Sequence, residues 1–150
     1  MPQEGILPEG KYPVVTQEAG LQVSGYTNIE APITDLPLIV FGDHSCSFKY
    51  LDVPFVRGAD GTQLMKFNHD VVLTKYMYFY LQNIEIHNAG KYERHYKYLK
   101  ETEVYLPTMA EQQRIIAQVE QYEAVVAKAL AVMAACPARR KQILDRYLQA

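Results

Sequence analysis

The pattern of hydrophobic and polar positions changes character near Pro107. Before Pro107, short apolar runs are separated by Gly, Pro, Asn and Asp, which is typical of strands and turns with a little helix. After Pro107, a long stretch rich in Ala, Gln, Glu and Val contains no Gly and one Pro, which favours helix. We therefore predict a globular domain over residues 1–107 and a helical region over residues 108–150.

The first part predicts a small, mixed, twisted β-sheet with packed helices. Residues 37–42 (PLIVFG) form an apolar run bounded by Pro and Gly, which indicates a buried strand. Residues 74–83 are predicted to be helical because apolar side chains recur every three or four residues, and Thr74 can cap the start. Shorter strands are predicted at residues 12–16, 21–27, 54–57, 63–67 and 104–106, with turns at 19–20 and 58–61.

The second part carries apolar residues at alternating steps of four and three. This heptad spacing predicts left-handed supercoiling against a partner helix, although docking on the chain's own domain stays open. Residues 110–135 would span roughly 39 Å at 1.5 Å per residue, which predicts a long projecting coiled-coil-like helix. Pro137 predicts a break, with Arg139, Arg140 and Lys141 starting a second piece. The expected pairing positions are Ile115, Val119, Tyr122, Val126, Ala129 and Met133, and Cys136 continues the same spacing. The fold class is therefore α+β.

Charge changes this picture at one segment. The formal net charge is −2, and residues 1–107 carry nine Lys or Arg against thirteen Asp or Glu, which does not by itself indicate nucleic-acid binding. Residues 87–100 (HNAGKYERHYKYLK), however, hold four Lys or Arg against one Glu. Such side chains can contact phosphates and base edges. The alternative is that Tyr96, Tyr98 and Leu99 pack inward while the charges are merely solvated. The expected DNA contacts are Lys91, Tyr92, Arg94, His95 and Lys97.

Residues 42–49 (GDHSCSFK) leave several interpretations open. Asp43, His44 and Cys46 are competent metal ligands, but a closed zinc site needs a fourth ligand and none is evident. Cys46 and His44 could act as nucleophile and base, but no third orienting residue stands out. The plainest alternative is a strand end with a partly buried histidine.

Several motifs resemble those of type I restriction–modification specificity (S) subunits. Residues 106–116 (LPTMAEQQRII) resemble the PLPPLxEQQRIV signature where a target-recognition domain meets a conserved spacer helix. The other similar segments, in the family's order, are residues 10–14 (GKYPV), the turn at 25–28 (GYTN), 39–49 (IVFGDHSCSFK), the helix at 73–81 and 94–99 (RHYKYL).

The resemblance implies a sequence-specific DNA-recognition module that reads one half of a split site in double-stranded DNA. It adds His44, Ser45, Ser47 and Lys49 to the expected DNA contacts. Catalysis is expected in partner subunits: an adenine methyltransferase (M) subunit that uses S-adenosylmethionine, and a restriction (R) subunit. No catalytic residue, metal or cofactor is expected in this chain. In a complete S subunit two spacer helices pair antiparallel, so this chain is expected to be a homodimerising half-subunit or a fragment.

Two other functional classes remain open. One is a coiled-coil protein-interaction scaffold without DNA binding, which the acidic first part favours. The other is a small hydrolase that uses the loop at residues 42–49. No apolar run is long enough for a membrane helix, and Cys46 and Cys136 form no CxxC pair. A cytoplasmic location with free thiols is therefore expected.

Overall fold

The computed structural model describes residues 5–29, 31–58, 61–86 and 93–148 and confirms the α+β class. The chain divides into two compact units, Met1–Gln112 and Gln113–Ala150. The strands are β1 (Tyr12–Val15), β2 (Gly25–Thr27), β3 (Leu38–Gly42), β4 (Phe48–Leu51), β5 (Val56–Arg57) and β6 (Thr62–Met65). The helices are α1 (Thr74–Leu81), α2 (Tyr96–Leu99) and α3 (Met109–Leu148).

Within the described residues of the first unit, the strands form two three-stranded sheets where the sequence predicted one. In the order β2-β1-β5, β1 pairs antiparallel with β2 and parallel with β5, so this sheet is mixed. In the order β4-β3-β6, both pairings are antiparallel. All five residues of the central strand β3 are buried, as its continuous apolar sequence predicted.

One hydrophobic cluster joins the two sheets. Val15 of β1 packs with Leu38 and Val40 of β3, and with Leu51 and Phe55, all at most 3% exposed. Burial of each apolar side chain of this size stabilises the folded state by about 1.5–3 kcal/mol. The shared cluster therefore fixes how the end of β1 lies relative to β3 and β4.

Helix α1 packs against β3 and β4 of the second sheet. The rings of Tyr50 and Tyr78 lie 5.8 Å apart across this contact. The expected capping role of Thr74 is wrong. Leu73 occupies the N-cap position without a side-chain cap, and the Thr74 hydroxyl lies 2.9 Å from Nε2 of His69.

Two segments differ from their sequence-based assignments. The expected strand at residues 104–106 does not form, because tyrosine hydroxyls hydrogen-bond to the backbone of Tyr105. Tyr76 Oη donates to the Tyr105 carbonyl at 2.8 Å, and the Tyr105 N–H donates to Tyr80 Oη at 3.3 Å. Gly25–Thr27 is strand β2 and lies within the strand predicted at residues 21–27, so the turn that the GYTN resemblance implied is not found at these three residues, whose backbone pairs with β1.

Helix α3 starts with a capping box. The Thr108 N–H and hydroxyl both donate to Glu111 Oε2, at 3.0 and 2.7 Å, and the Glu111 N–H donates back to Thr108 Oγ1 at 3.3 Å. Helix α3 does not restart after Pro137, since this residue lies inside one helix that continues to Leu148. An interior proline removes one backbone donor from the helix.

The described residues of the second unit, 113–148, all lie in this one helix, so its apolar side chains have no other described element of that unit to pack on. Tyr122, Val126 and Met133 are more than half exposed, and Ile115 and Val119 are half-buried. Since the helix does not restart at Pro137, the steps of four and three continue through Arg140 to Ile143 and Tyr147. In the described residues, no helix is long and apolar enough to cross a bilayer.

Candidate nucleic-acid interface

The turn between β3 and β4 (residues 43–47, the β3–β4 turn) is held by short backbone hydrogen bonds. The Gly42 N–H donates to the Ser47 carbonyl at 2.9 Å, and the Asp43 N–H donates to the Gly61 carbonyl at 2.7 Å. Gln17, just after β1, also contacts the turn: its Oε1 accepts from the His44 N–H at 3.3 Å, and its carbonyl accepts from Ser47 Oγ at 3.3 Å. The turn is therefore braced from the ends of two other strands.

Asp43 connects this turn to residues 93–100, which contain α2 and are called the α2 segment below. The Asp43 side chain is 2% exposed, and its Oδ1 accepts from the Tyr96 N–H at 2.8 Å. The Asp43 carbonyl accepts from both the N–H and Nδ1 of His95, each at 3.0 Å. Because a carbonyl can only accept, Nδ1 of His95 carries a proton.

His44 adds a second connection between the two segments. Its Nδ1 lies 3.1 Å from the Glu93 carbonyl, so this nitrogen also carries the proton and donates. The two segments predicted to contact DNA, which are separated by almost fifty positions in sequence, are therefore neighbours in the structure. The sequence did not predict this contact.

Arg94 and Lys97 are both exposed on the α2 segment. Among the described residues, Arg94 has no ion pair or hydrogen bond, whereas Lys97 Nζ lies 3.0 Å from Oε2 of Glu93 and 4.5 Å from the ring centre of Tyr98. The hydrogen bond to Glu93, with a smaller contribution from Tyr98, raises the pKa of Lys97 above its ordinary value. Both cations lie on the surface, and the charge of Lys97 is partly balanced by Glu93.

The apolar and aromatic residues of the α2 segment pack against the rest of the first unit, whereas its cations are exposed. Leu99 is buried, and the Tyr96 ring lies 6.3 Å from that of Phe41 in β3. Lys100 Nζ lies 4.9 Å from the centre of the Tyr96 ring. The segment therefore combines an inward apolar side with outward cations, so the inward-packing interpretation applies to part of it.

Burial argues against two of the expected DNA contacts, His95 and Lys49. His95 is 0% exposed, and its ring is hydrogen-bonded to the Asp43 carbonyl. Lys49 is 4% exposed because it occupies an inward position of β4, where its Nζ donates to the Thr16 carbonyl at 2.8 Å. Burial lowers the pKa of Lys49, and the nearby charge of Glu18 offsets part of that shift. Neither side chain is on a surface that a duplex can reach.

The remaining expected contacts have different positions. His44, Ser45 and Ser47 are half-buried, and the hydroxyls of the two serines lie 2.8 Å apart. Lys91 and Tyr92 lie outside the described residues. Contact of any of these residues with DNA stays a prediction.

The metal and nucleophile interpretations of the β3–β4 turn receive no support. The Asp43 carboxylate accepts from a backbone N–H, and no group of three or more potential ligands forms within the part of the chain that the structure describes. Burial, with a contribution from Asp43, raises the pKa of the Cys46 thiol, which lowers its thiolate fraction.

Gln112 is a buried structural side chain that the sequence did not predict. This side chain is 0% exposed; its Oε1 accepts from the Leu73 N–H at 2.8 Å, and its Nε2 donates to the carbonyls of Val71 and Pro107. The residue lies in the EQQR motif, but periodicity alone gave no reason to prefer it over Gln113. The Thr-x-x-Glu spacing at Thr108 did carry a readable signal for the capping box.

Comparison with known proteins gives a match in structure and none in sequence. No family model and no curated protein matches the sequence. The crystal structure of a type-I restriction-modification system S subunit from M. genitalium superimposes with a TM-score of 0.62 over 83% of this chain, at 19% identity. The chain has the fold of this S subunit. It spans about one third of the S subunit's length, 34% of that chain.

Proposed function

We propose that this chain is a sequence-specific DNA-recognition module of a type I restriction–modification complex, which reads one half of a split site. The observation that carries the proposal is the S-subunit fold combined with exposed cations on a braced segment. An acidic domain that binds DNA needs its positive charge concentrated at one place. The α2 segment supplies that concentration with Arg94, Lys97 and Lys100.

Arg94 is the side chain best suited to read a base. A guanidinium can donate two parallel hydrogen bonds to O6 and N7 of guanine in the major groove. Lys97 and Lys100 suit phosphate contacts, which give affinity without sequence information. His44, Ser45 and Ser47 lie on the neighbouring turn and can add hydrogen bonds once the duplex is bound.

The chemistry of the complex is assigned to partner subunits. An M subunit that carries S-adenosylmethionine would methylate adenine, and an R subunit would cleave DNA. No catalytic role is assigned to this chain: the side chains of Asp43 and His44 hydrogen-bond to backbone groups, and burial raises the pKa of the Cys46 thiol. Methyl transfer to DNA by the purified chain alone would contradict this assignment.

The exposed seam of α3 is proposed to pair with a second spacer helix, supplied by another copy of the chain or by the rest of a larger subunit. The charges favour antiparallel pairing. Residues 109–125 carry three Glu and one Arg, whereas residues 139–148 carry three Arg, one Lys and one Asp. Antiparallel pairing places the acidic start of one helix opposite the basic end of the other, and unlike charges that flank a seam select orientation.

The competing proposal is a protein-interaction scaffold that does not bind DNA. It is favoured by the acidic balance of residues 1–107 and needs the same exposed seam. The two proposals differ in what the α2 segment does, so the presence of the helix pair does not separate them.

Selection from a random-sequence duplex library with the full chain separates the two functions. We expect recovered duplexes to share a short motif, and Arg94→Ala to weaken binding of that motif about tenfold or more. Lys66→Ala is the matched control, because this exposed lysine pairs with Asp35 and lies outside the α2 segment. Recovery of no common motif would favour the scaffold.

A further inference from the structure

We infer that Asp43 is a positioning residue for DNA reading, because its buried carboxylate fixes the backbone that presents Arg94. This inference rests on the proposed function and deepens it by naming a residue that acts without touching DNA. Asp43 follows directly after β3, the central strand of its sheet. Its position is therefore set by the most buried strand of the unit.

The residues on both sides of Arg94 are held by the β3–β4 turn. On one side, the Glu93 carbonyl accepts from Nδ1 of His44 at 3.1 Å. On the other side, the His95 N–H and Nδ1 both donate to the Asp43 carbonyl at 3.0 Å. Arg94 itself is exposed, so its backbone is fixed at both ends while its guanidinium stays available.

The Asp43 carboxylate supplies a contact that the backbone alone does not. Oδ1 accepts from the Tyr96 N–H at 2.8 Å, and this N–H belongs to the first residue of α2, where no intrahelical acceptor is available. A charged acceptor at a helix start is stronger than a neutral one. The carboxylate therefore sets where α2 begins, one residue after His95 and two after Arg94.

Holding a recognition side chain in place improves binding by reducing the entropy that is lost when the complex forms. Without the carboxylate, α2 keeps the two bonds from His95 to the Asp43 carbonyl but loses the bond at Tyr96. We expect Arg94 to reach its base from a broader set of conformations. The effect should be specific to the selected duplex, because phosphate contacts tolerate a looser geometry.

The test is a double-mutant cycle between Asp43→Ala and Arg94→Ala, with the duplex recovered by selection and a shuffled duplex as probes. Asp43→Ala should lower affinity for the selected duplex about tenfold and leave the shuffled duplex nearly unchanged. In the Arg94→Ala background it should cause little further loss, because Asp43 acts through Arg94. Asp43→Asn keeps an acceptor oxygen and should restore most of the affinity.

Amide hydrogen exchange at Tyr96 provides the structural readout. Asp43→Ala should speed exchange there while the amides of β3 stay protected. If Asp43→Ala lacks the wild-type circular dichroism spectrum, Asp43→Ser replaces it in the cycle. Equal additional losses in the wild-type and Arg94→Ala backgrounds would overturn the inference and leave the proposed function standing. Failure of the wild-type chain to prefer the selected duplex would overturn both.

Discussion

The side-chain oxygen of Gln112 accepts a hydrogen bond from the backbone N–H of Leu73 at 2.8 Å, which joins the first turn of α3 to the start of α1. The same side chain donates to the carbonyls of Val71 and Pro107 at 3.1 and 2.9 Å. One buried amide thus satisfies three backbone groups from two separate stretches of the chain. The EQQR motif acquires a physical role in the first unit from this arrangement.

Replacing Gln112 with Ala should destabilise the chain by about 2–3 kcal/mol, because the Leu73 N–H and two carbonyls would lose their buried partner. Gln113→Ala is the matched control, since Gln113 is exposed on the same helix and the change in helix propensity is identical. Urea denaturation followed by circular dichroism gives both free energies of unfolding. Equal stabilities for the two variants would contradict the role of Gln112.

Replacing Glu93 with Gln should strengthen DNA binding about two- to fivefold at low salt, because it removes a negative charge and releases Lys97 for phosphate contact. The pKa of Lys97 should fall toward its ordinary value, since the hydrogen bond to Glu93 is the main cause that raises it. Fluorescence anisotropy and an NMR titration of the lysine side chain measure the two effects. Weaker DNA binding by Glu93→Gln would place Lys97 away from the duplex.

The buried side chains Lys49 and His95 should contribute to the stability of the first unit. Lys49→Ala removes the bond to the Thr16 carbonyl, and His95→Ala removes the bond to the Asp43 carbonyl, so each should cost about 1–3 kcal/mol of unfolding free energy. Arg94→Ala should leave stability within about 0.5 kcal/mol because the side chain is exposed. Thermal melts and fluorescence-anisotropy titrations distinguish variants that lose stability from variants that lose DNA affinity. A His95→Ala variant with native stability would contradict the structural role of this ring.

A matched pair of alanines tests the seam of α3. Ala129 lies on the seam, and Ala131, two residues later, points to nearly the opposite side of the helix. Both are exposed, so either accepts lysine in the single chain. Ala129→Lys should prevent pairing of the helices because it places a charge in the apolar contact, whereas Ala131→Lys should leave pairing unchanged. Sedimentation equilibrium measures both masses. Two variants with the wild-type mass would exclude this seam as the pairing surface.

The sequence predicted the elements whose packing follows from local pattern. The continuous apolar run of β3 predicted a buried strand, and the spacing of apolar residues predicted α1 and α3. Strand β4 was missed because Lys49 occupies an inward position, which breaks the expected alternation of apolar and polar residues. Residues 104–106 have strand-forming composition, but their backbone groups bind Tyr76 and Tyr80 instead of another strand. Pairing partners distant in sequence decide such cases.

The candidate site was located more reliably than its individual side chains. A run of cations in an acidic domain correctly placed Arg94 and Lys97 on the surface. The same run also included His95, and only the bonds to Asp43 reveal that this ring is buried. The contact of the β3–β4 turn with the α2 segment depends on hydrogen bonds between residues 49 to 53 positions apart, which no local pattern encodes.

The affinity ratio of the full chain for the selected duplex over its shuffled counterpart, measured across a salt series, tests DNA reading most directly. We predict a ratio of about a thousand or more for the wild-type chain, with both affinities falling as salt rises. For Arg94→Ala we predict a ratio at least tenfold smaller at every salt concentration. A wild-type ratio near one at all salt concentrations would contradict DNA reading by this chain.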